Sequence, residues 1–255
     1  MTSTLKLGRK PSAEAPRLKL SDYVDVQAVL PKIPPVFGHQ STVSQWGMYG
    51  NDQYGDCVWA GAGHEHLLWN AANNRTIAFT DDNILSAYSA VTGFNPDDPS
   101  TDQGTDMLTA AKYRQQTGLT DAAGNMHKIG AYLALKPGDI NELAAASYLF
   151  GAVGIGIVVT DRAMEQFQNG QPWKPVWCAH VEGGHYVPVV GRNADGNFVA
   201  VTWGALQELT PKYYVKQSDE VIAYVSQDYL TADKSPEGFD QAALVADLGA
   251  IQTQL

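Results

Sequence analysis

The order of patterns along the chain predicts an α+β fold with a helical first half and an antiparallel β second half. Three observations carry this. Val58, Ala62 and His66 recur at fourfold spacing behind a capping Asp56, which makes a long helix. Short runs rich in β-branched residues dominate beyond residue 126. The turn Asn193-Ala194-Asp195-Gly196 joins two of them into a hairpin. The 255 residues suffice for one large domain or two lobes around a cleft. The expected organisation is an extended arm over 1–38, a domain over 39–230 divided near 125 into a helical and a β lobe, and a docked helix within 231–255.

Charge and composition exclude several function classes. The formal charge of −10 has no basic run to offset it, which argues against nucleic acid as a partner. No stretch approaches the ~20 apolar residues of a membrane span, and Met1–Lys6 lacks the apolar core of a secretory leader. Two cysteines are too few for a disulfide framework, so a cytoplasmic or virion-associated setting is expected.

The arm carries Pro11, Pro16, Pro31, Pro34 and Pro35 among Arg9, Lys10, Arg17 and Lys19, and reads as a tail wrapping the surface. The first helix spans Asp56 to Asn73. His64 and His66 lie two apart on it and point to different faces, so no metal pair, and no cofactor, is expected. A second helix opens near Thr80 or Asp81. Gly93–Gly104 is an acidic loop, either a connection or one wall of a groove where glycine admits a peptide backbone. A third helix covers Thr105 to Thr117 and ends at Gly118.

Lys128–Leu135 reads as a strand and Ile140–Phe150 as a helix after the turn Pro137-Gly138-Asp139. Ala152–Val159 is a buried strand. Residues 161–170 form a short helix, and Gln171–Val181 a loop containing Cys178, read as a partly buried, inert thiol. Strands follow at His185–Gly191, Asn197–Gly204, around Gln207–Thr210, and over Glu220–Ser226. Phe239–Ile251 is an amphipathic helix that docks on the domain; an assembly contact through it or through the arm is the alternative.

Two stretches carry chemistry. Gly50-Asn51-Asp52-Gln53-Tyr54-Gly55-Asp56-Cys57 sets a thiol at a helix N-terminus, where unpaired N–H groups favour the thiolate and can hold an oxyanion. Gly183-Gly184-His185 puts an imidazole at the opening of a β-rich run. A Cys–His pair is a recurrent nucleophile and base.

The order of these motifs resembles that of papain-like cysteine peptidases. The family's cysteine at a helix start, with tryptophan and alanine behind it, resembles Gly55-Asp56-Cys57-Val58-Trp59-Ala60, and its histidine strand resembles His185-Tyr186-Val187-Pro188-Val189-Val190-Gly191. Its Trp-Gly matches Trp203-Gly204, eighteen residues after the histidine, and its glycine-bearing loop matches Asp102-Gln103-Gly104. The resemblance runs from about Pro35 to Tyr224 and implies a two-lobe papain-like fold of a divergent bacterial or phage type. It implies Cys57 as nucleophile, His185 as base, Asn51 or Gln53 as an oxyanion amide beside the Cys57 N–H, and Trp203 as a shield over the histidine's partner. It also implies a peptide groove at Gln103, Gly104 and Gly184.

Two positions depart from the pattern. Val201 stands where the family orients its histidine with asparagine, and strand alternation points the neighbouring Thr202 the other way. Val58 replaces the tryptophan that follows the cysteine. Two function classes follow. One is a thiol peptidase or related acyl-transfer enzyme acting on a peptide or protein. The other is a fold relative with a binding or structural role, for instance in a virion; Val201 and the brevity of the arm as a pro-segment favour it.

Overall fold

The computed structural model describes residues 5–229 and 235–237. The helix read at Phe239–Ile251 lies outside them. In chain order the elements are β1 (Arg9–Lys10), α1 (Val26–Val29), β2 (Phe37–Gly38), α2 (Cys57–Ala72), α3 (Asp81–Thr92), β3 (Thr105–Asp106), α4 (Met107–Gln116), β4 (Leu119–Thr120) and β5 (Met126–His127). They continue as β6 (Ala131–Ala134), α5 (Ile140–Phe150), β7 (Val153–Thr160), α6 (Asp161–Gln168), β8 (Val181–Arg192), β9 (Phe198–Thr202), β10 (Ala205–Leu209), α7 (Pro211–Gln217) and β11 (Ser218–Val225).

An antiparallel sheet in the order β10-β9-β8-β7-β11-β6, with β2 paired to β8, separates two hydrophobic cores. On one face Val187, Val189 and Ala200 pack with Leu143, Phe150, Tyr213 and the arm residues Leu18, Leu20 and Val24. On the other face Tyr186, Val190 and Val201 pack with Trp59, Trp69, Ile84 and Met107 of the helical half. This is an α+β fold with a helical lobe and an antiparallel β lobe.

The helix boundaries follow local chemistry. Thr80 and Asn83 form a reciprocal capping box at α3, and Gly93 ends it in the left-handed region. Asp139 caps α5 by accepting from the N–H groups of Asn141 and Glu142. The expected third helix starts two residues late, at Met107, because Thr105 and Asp106 pair with the arm as β3. The predicted Lys128–Leu135 strand shrinks to Ala131–Ala134, and a small β4–β5 hairpin precedes it.

Helix α2 is the axis of the molecule. Thirteen of its sixteen residues are buried, the signature of a helix enclosed on all sides. Small residues make that enclosure feasible: a Cβ on Gly61 would come 2.4 Å from the Tyr186 ring, so α2 lies directly on β8. Its indoles are anchored, Trp59 donating to Thr105 Oγ1 at 2.9 Å and Trp69 to the Phe150 carbonyl at 2.8 Å. Asp56 stands at the N-cap position, but its side chain makes no capping hydrogen bond, contrary to the sequence expectation.

Candidate active site

The axis helix delivers Cys57 to the boundary between the lobes. The loop before it is held by Asp102, whose carboxylate accepts from the Gly55 N–H at 3.0 Å and from the Tyr88 hydroxyl at 2.6 Å. Tyr88 in turn accepts from the Gly104 N–H at 2.8 Å. Asp102 thus couples the cysteine loop to the glycine loop opposite. Asn51 is buried and directs its amide to the Tyr54 carbonyl at 3.1 Å, whereas the Gln53 side chain is exposed.

The Cys57 thiol is buried against backbone of Tyr186, the residue after His185, and of Gly8. Burial pushes it up to about 12, against the opposing pull of those backbone groups. Burial, with help from the Arg9 charge, lowers His185 to about 3. Both groups are therefore neutral between those values. Asp56, next in sequence, is also buried and raised well above the usual carboxylate range, chiefly by desolvation.

His185 sits within β8 (Val181–Arg192), not at its opening. Its Nε2 lies 2.7 Å from Thr202 Oγ1, and its buried Nδ1 has no hydrogen-bond partner among the described residues. Thr202 thus faces the histidine, against the direction expected from regular strand alternation. The β8–β9 register shifts by one residue between Val189 and Gly191, so Val189 pairs with Ala200 while Gly191 pairs with Val199. A one-residue slip exchanges the two faces of a strand. Thr202, in step with Phe198 and Ala200, comes to the histidine, and Val201 turns into the other core.

Trp203 stacks on the His185 ring itself, centroids 4.4 Å apart and planes 16° from parallel, instead of covering its partner. The predicted strand through Gly204 ends at Thr202, and Trp203-Gly204 form the two-residue turn to β10. Both have positive φ, +45° for Trp203 and +70° for Gly204. Glycine accepts that region; a bulky side chain there costs about 1–2 kcal/mol. The position persists because the indole is fixed from several sides. Phe167 packs edge-on at 4.8 Å, and the ring nitrogen donates to the Lys6 carbonyl at 3.1 Å.

The depression between the lobes is lined by Asp102–Gly104 on one side and Glu182–Gly184 on the other, with arm residues 7–10 lying in it. Strand β1 pairs in parallel with β3, and the Thr105 N–H donates to the Gly8 carbonyl at 2.9 Å. A Cβ on Gly104 would come 1.9 Å from the Gly8 oxygen, and one on Gly184 2.4 Å from the Arg9 oxygen. These two glycines therefore make room for a backbone, here the chain's own. Gln103 bonds locally to the Ser100 carbonyl instead. Arg9 anchors the arm, reaching Asp219 at 2.6 Å and Glu220 at 3.2 Å. The anchoring role of Arg9, the bracing role of Asp102 and the seating of the arm in the depression were not legible in the sequence. Cys178, read as partly buried, is exposed, and both cysteines are free.

No protein-family model matches the chain, and no curated protein sequence does. The fold does have solved counterparts. Xylellain, a cysteine protease from Xylella fastidiosa, superposes with a TM-score of 0.64 at 16% identity, covering 87% of this chain and 96% of that one. A procathepsin B from Trypanosoma congolense gives 0.62 at 12% identity, covering 87% and 86%. Procathepsin L 3 of Tenebrio molitor larval midgut gives 0.58 at 16%, covering 86% and 76%. The chain has the papain-like fold. Among the described residues, no helix is long and apolar enough to cross a membrane.

Proposed function

We propose that this chain is a cysteine peptidase, or a related thiol amide hydrolase or acyltransferase, acting through Cys57 and His185 on a peptide or protein. The observation that supports it most is the thiol at the head of α2 lying against the residue next to His185, whose Nδ1 has no partner among the described residues. In this reading Nε2–H donates to Thr202, which fixes the tautomer and leaves a lone pair on Nδ1. Nδ1 takes the thiol proton as sulfur attacks the scissile carbonyl carbon. The oxyanion is held by the Cys57 N–H and the start of α2, with the Asn51 or Gln53 amide as second donor. The proton then passes from Nδ1 to the departing amine. Water, deprotonated by the same nitrogen, cleaves the thioester and restores the thiol.

A non-catalytic binding or assembly protein, for instance of a virion, is the second reading. The arm seated in the groove favours it. Peptide hydrolysis by Arg9→Ala, which frees the arm's anchor, separates the two. Turnover lost in both Cys57→Ser and His185→Ala backgrounds supports the enzyme. If there is no turnover, and iodoacetamide labels Cys57 at the same rate with or without His185, the chain is a binding protein.

A further inference from the structure

We propose that His66, His127 and Asp228 form a binding site for one divalent transition-metal ion of the zinc class. The site lies away from Cys57 and does not depend on the peptidase reading. His66 is nine residues along α2 from Cys57, a rise of about 13 Å. His127 ends β5, and Asp228 belongs to the 3-10 turn Gln227–Tyr229 that follows β11.

The geometry is convergent. Nδ1 of His66 and Nδ1 of His127 each lie 2.8 Å from the same oxygen, Asp228 Oδ2. One ligand atom from each residue falls within 4.8 Å of the others. The rings are 5.5 Å apart and inclined at 50°, so they converge without stacking. His66 is fully buried, His127 nearly so, and the Asp228 side chain is 21% exposed, which leaves an outer position for water.

A fourth residue orients the set. Asp121 Oδ2 lies 3.2 Å from His127 Nε2, and Asp121 is itself fixed by the N–H groups of Ala123 and Asn125. A carboxylate on the far nitrogen of an imidazole keeps that nitrogen protonated and turns the lone pair of the other towards a metal. The lone pair of His127 Nδ1 then faces a carboxylate oxygen. His127, with a carboxylate at each ring nitrogen, therefore carries either a second proton on Nδ1 or a cation between Nδ1 and Asp228. Ligands around a four-coordinate zinc at ~2.0 Å stand ~3.3 Å apart, so each contact need open by only about half an ångström. Two imidazoles and one carboxylate suit zinc, cobalt(II) or nickel(II), not calcium or magnesium. The ion would tie the far half of the central helix to the β4–β5 hairpin and the exit of the sheet. Binding only the folded state, it would stabilise the whole molecule.

The test is titration of the chelator-stripped full chain with Zn2+, followed by calorimetry, and with Co2+, followed by visible absorption. One equivalent bound, a tetrahedral cobalt spectrum and a raised melting temperature are expected, unaffected by Mg2+. His127→Gln and Asp228→Asn should each abolish them, while Cys57→Ser should leave them intact. Asp121→Asn keeps all three ligands and should weaken binding about 10–100-fold, which serves if the ligand variants do not fold. Absence of stoichiometric binding, a thiolate-to-cobalt band, or undiminished binding by folded His127→Gln or Asp121→Asn would overturn the site; protons alone would then hold the cluster.

Discussion

Thr202 shows how much a single hydroxyl can carry. It is the only hydrogen-bond partner of the His185 side chain among the described residues, and it is buried. Thr202→Val keeps the shape and removes the oxygen, which leaves an imidazole nitrogen buried without a partner at a cost of about 1–3 kcal/mol. For the proposed peptidase, turnover should fall roughly 10–100-fold, and Thr202→Ser should recover most of it. Equal turnover in the valine variant would remove Thr202 from the mechanism. Trp203 reinforces the same ring from its flat face, at the expense of an unfavourable backbone conformation.

Among the elements, β1 lies in the depression beside Cys57, and Gly8, the residue before it, lies against the thiol. While it is seated, burial keeps the thiol protonated up to about 12 and the imidazole neutral down to about 3. The thiolate fraction is then minute at neutral pH, so iodoacetamide should modify the exposed Cys178 far sooner than Cys57. Gly184→Ala introduces a methyl 2.4 Å from the Arg9 oxygen without demanding a left-handed φ, and should unseat β1. Cys57 alkylation, followed by peptide mapping across the neutral range, should then accelerate at least tenfold. Arg9→Ala should act in the same direction by removing the ties to Asp219 and Glu220. An unchanged Cys57 rate in both variants means that the arm does not control access.

Across the whole molecule, a buried polar network joins the lobes. Glu65 of α2 meets Arg114 of α4 at 2.5 Å and accepts from the Tyr186 hydroxyl of β8, and the guanidinium lies over the Tyr224 ring of β11 at 4.2 Å. Both charges are essentially inaccessible to water. Removing one partner strands the other, so Arg114→Ala should destabilise the fold by about 3–5 kcal/mol in urea unfolding. The double variant Glu65→Gln/Arg114→Met, which leaves no lone charge, should recover much of that loss. If the single and double variants lose the same amount, the network is ordinary packing.

The amino-acid order by itself determined what local chemistry can determine. The boundaries of α3 and α5 follow from Thr80, Gly93 and Asp139, because a cap is made by residues within one turn. The helix behind Cys57 and the hairpin at Asn193–Gly196 follow from spacing and turn residues in the same way. Tertiary structure alone decided the rest. A one-residue shift in the β8–β9 ladder chose Thr202 over Val201, and pairing across some hundred residues turned the start of α4 into a strand beside the arm. Likewise, His66 parts from its sequence neighbour His64, which bonds to the Gly47 carbonyl, and meets His127 and Asp228. Such pairings depend on register and on backbone approach between distant segments. Neither is encoded in a window short enough to be read along one strand or one helix.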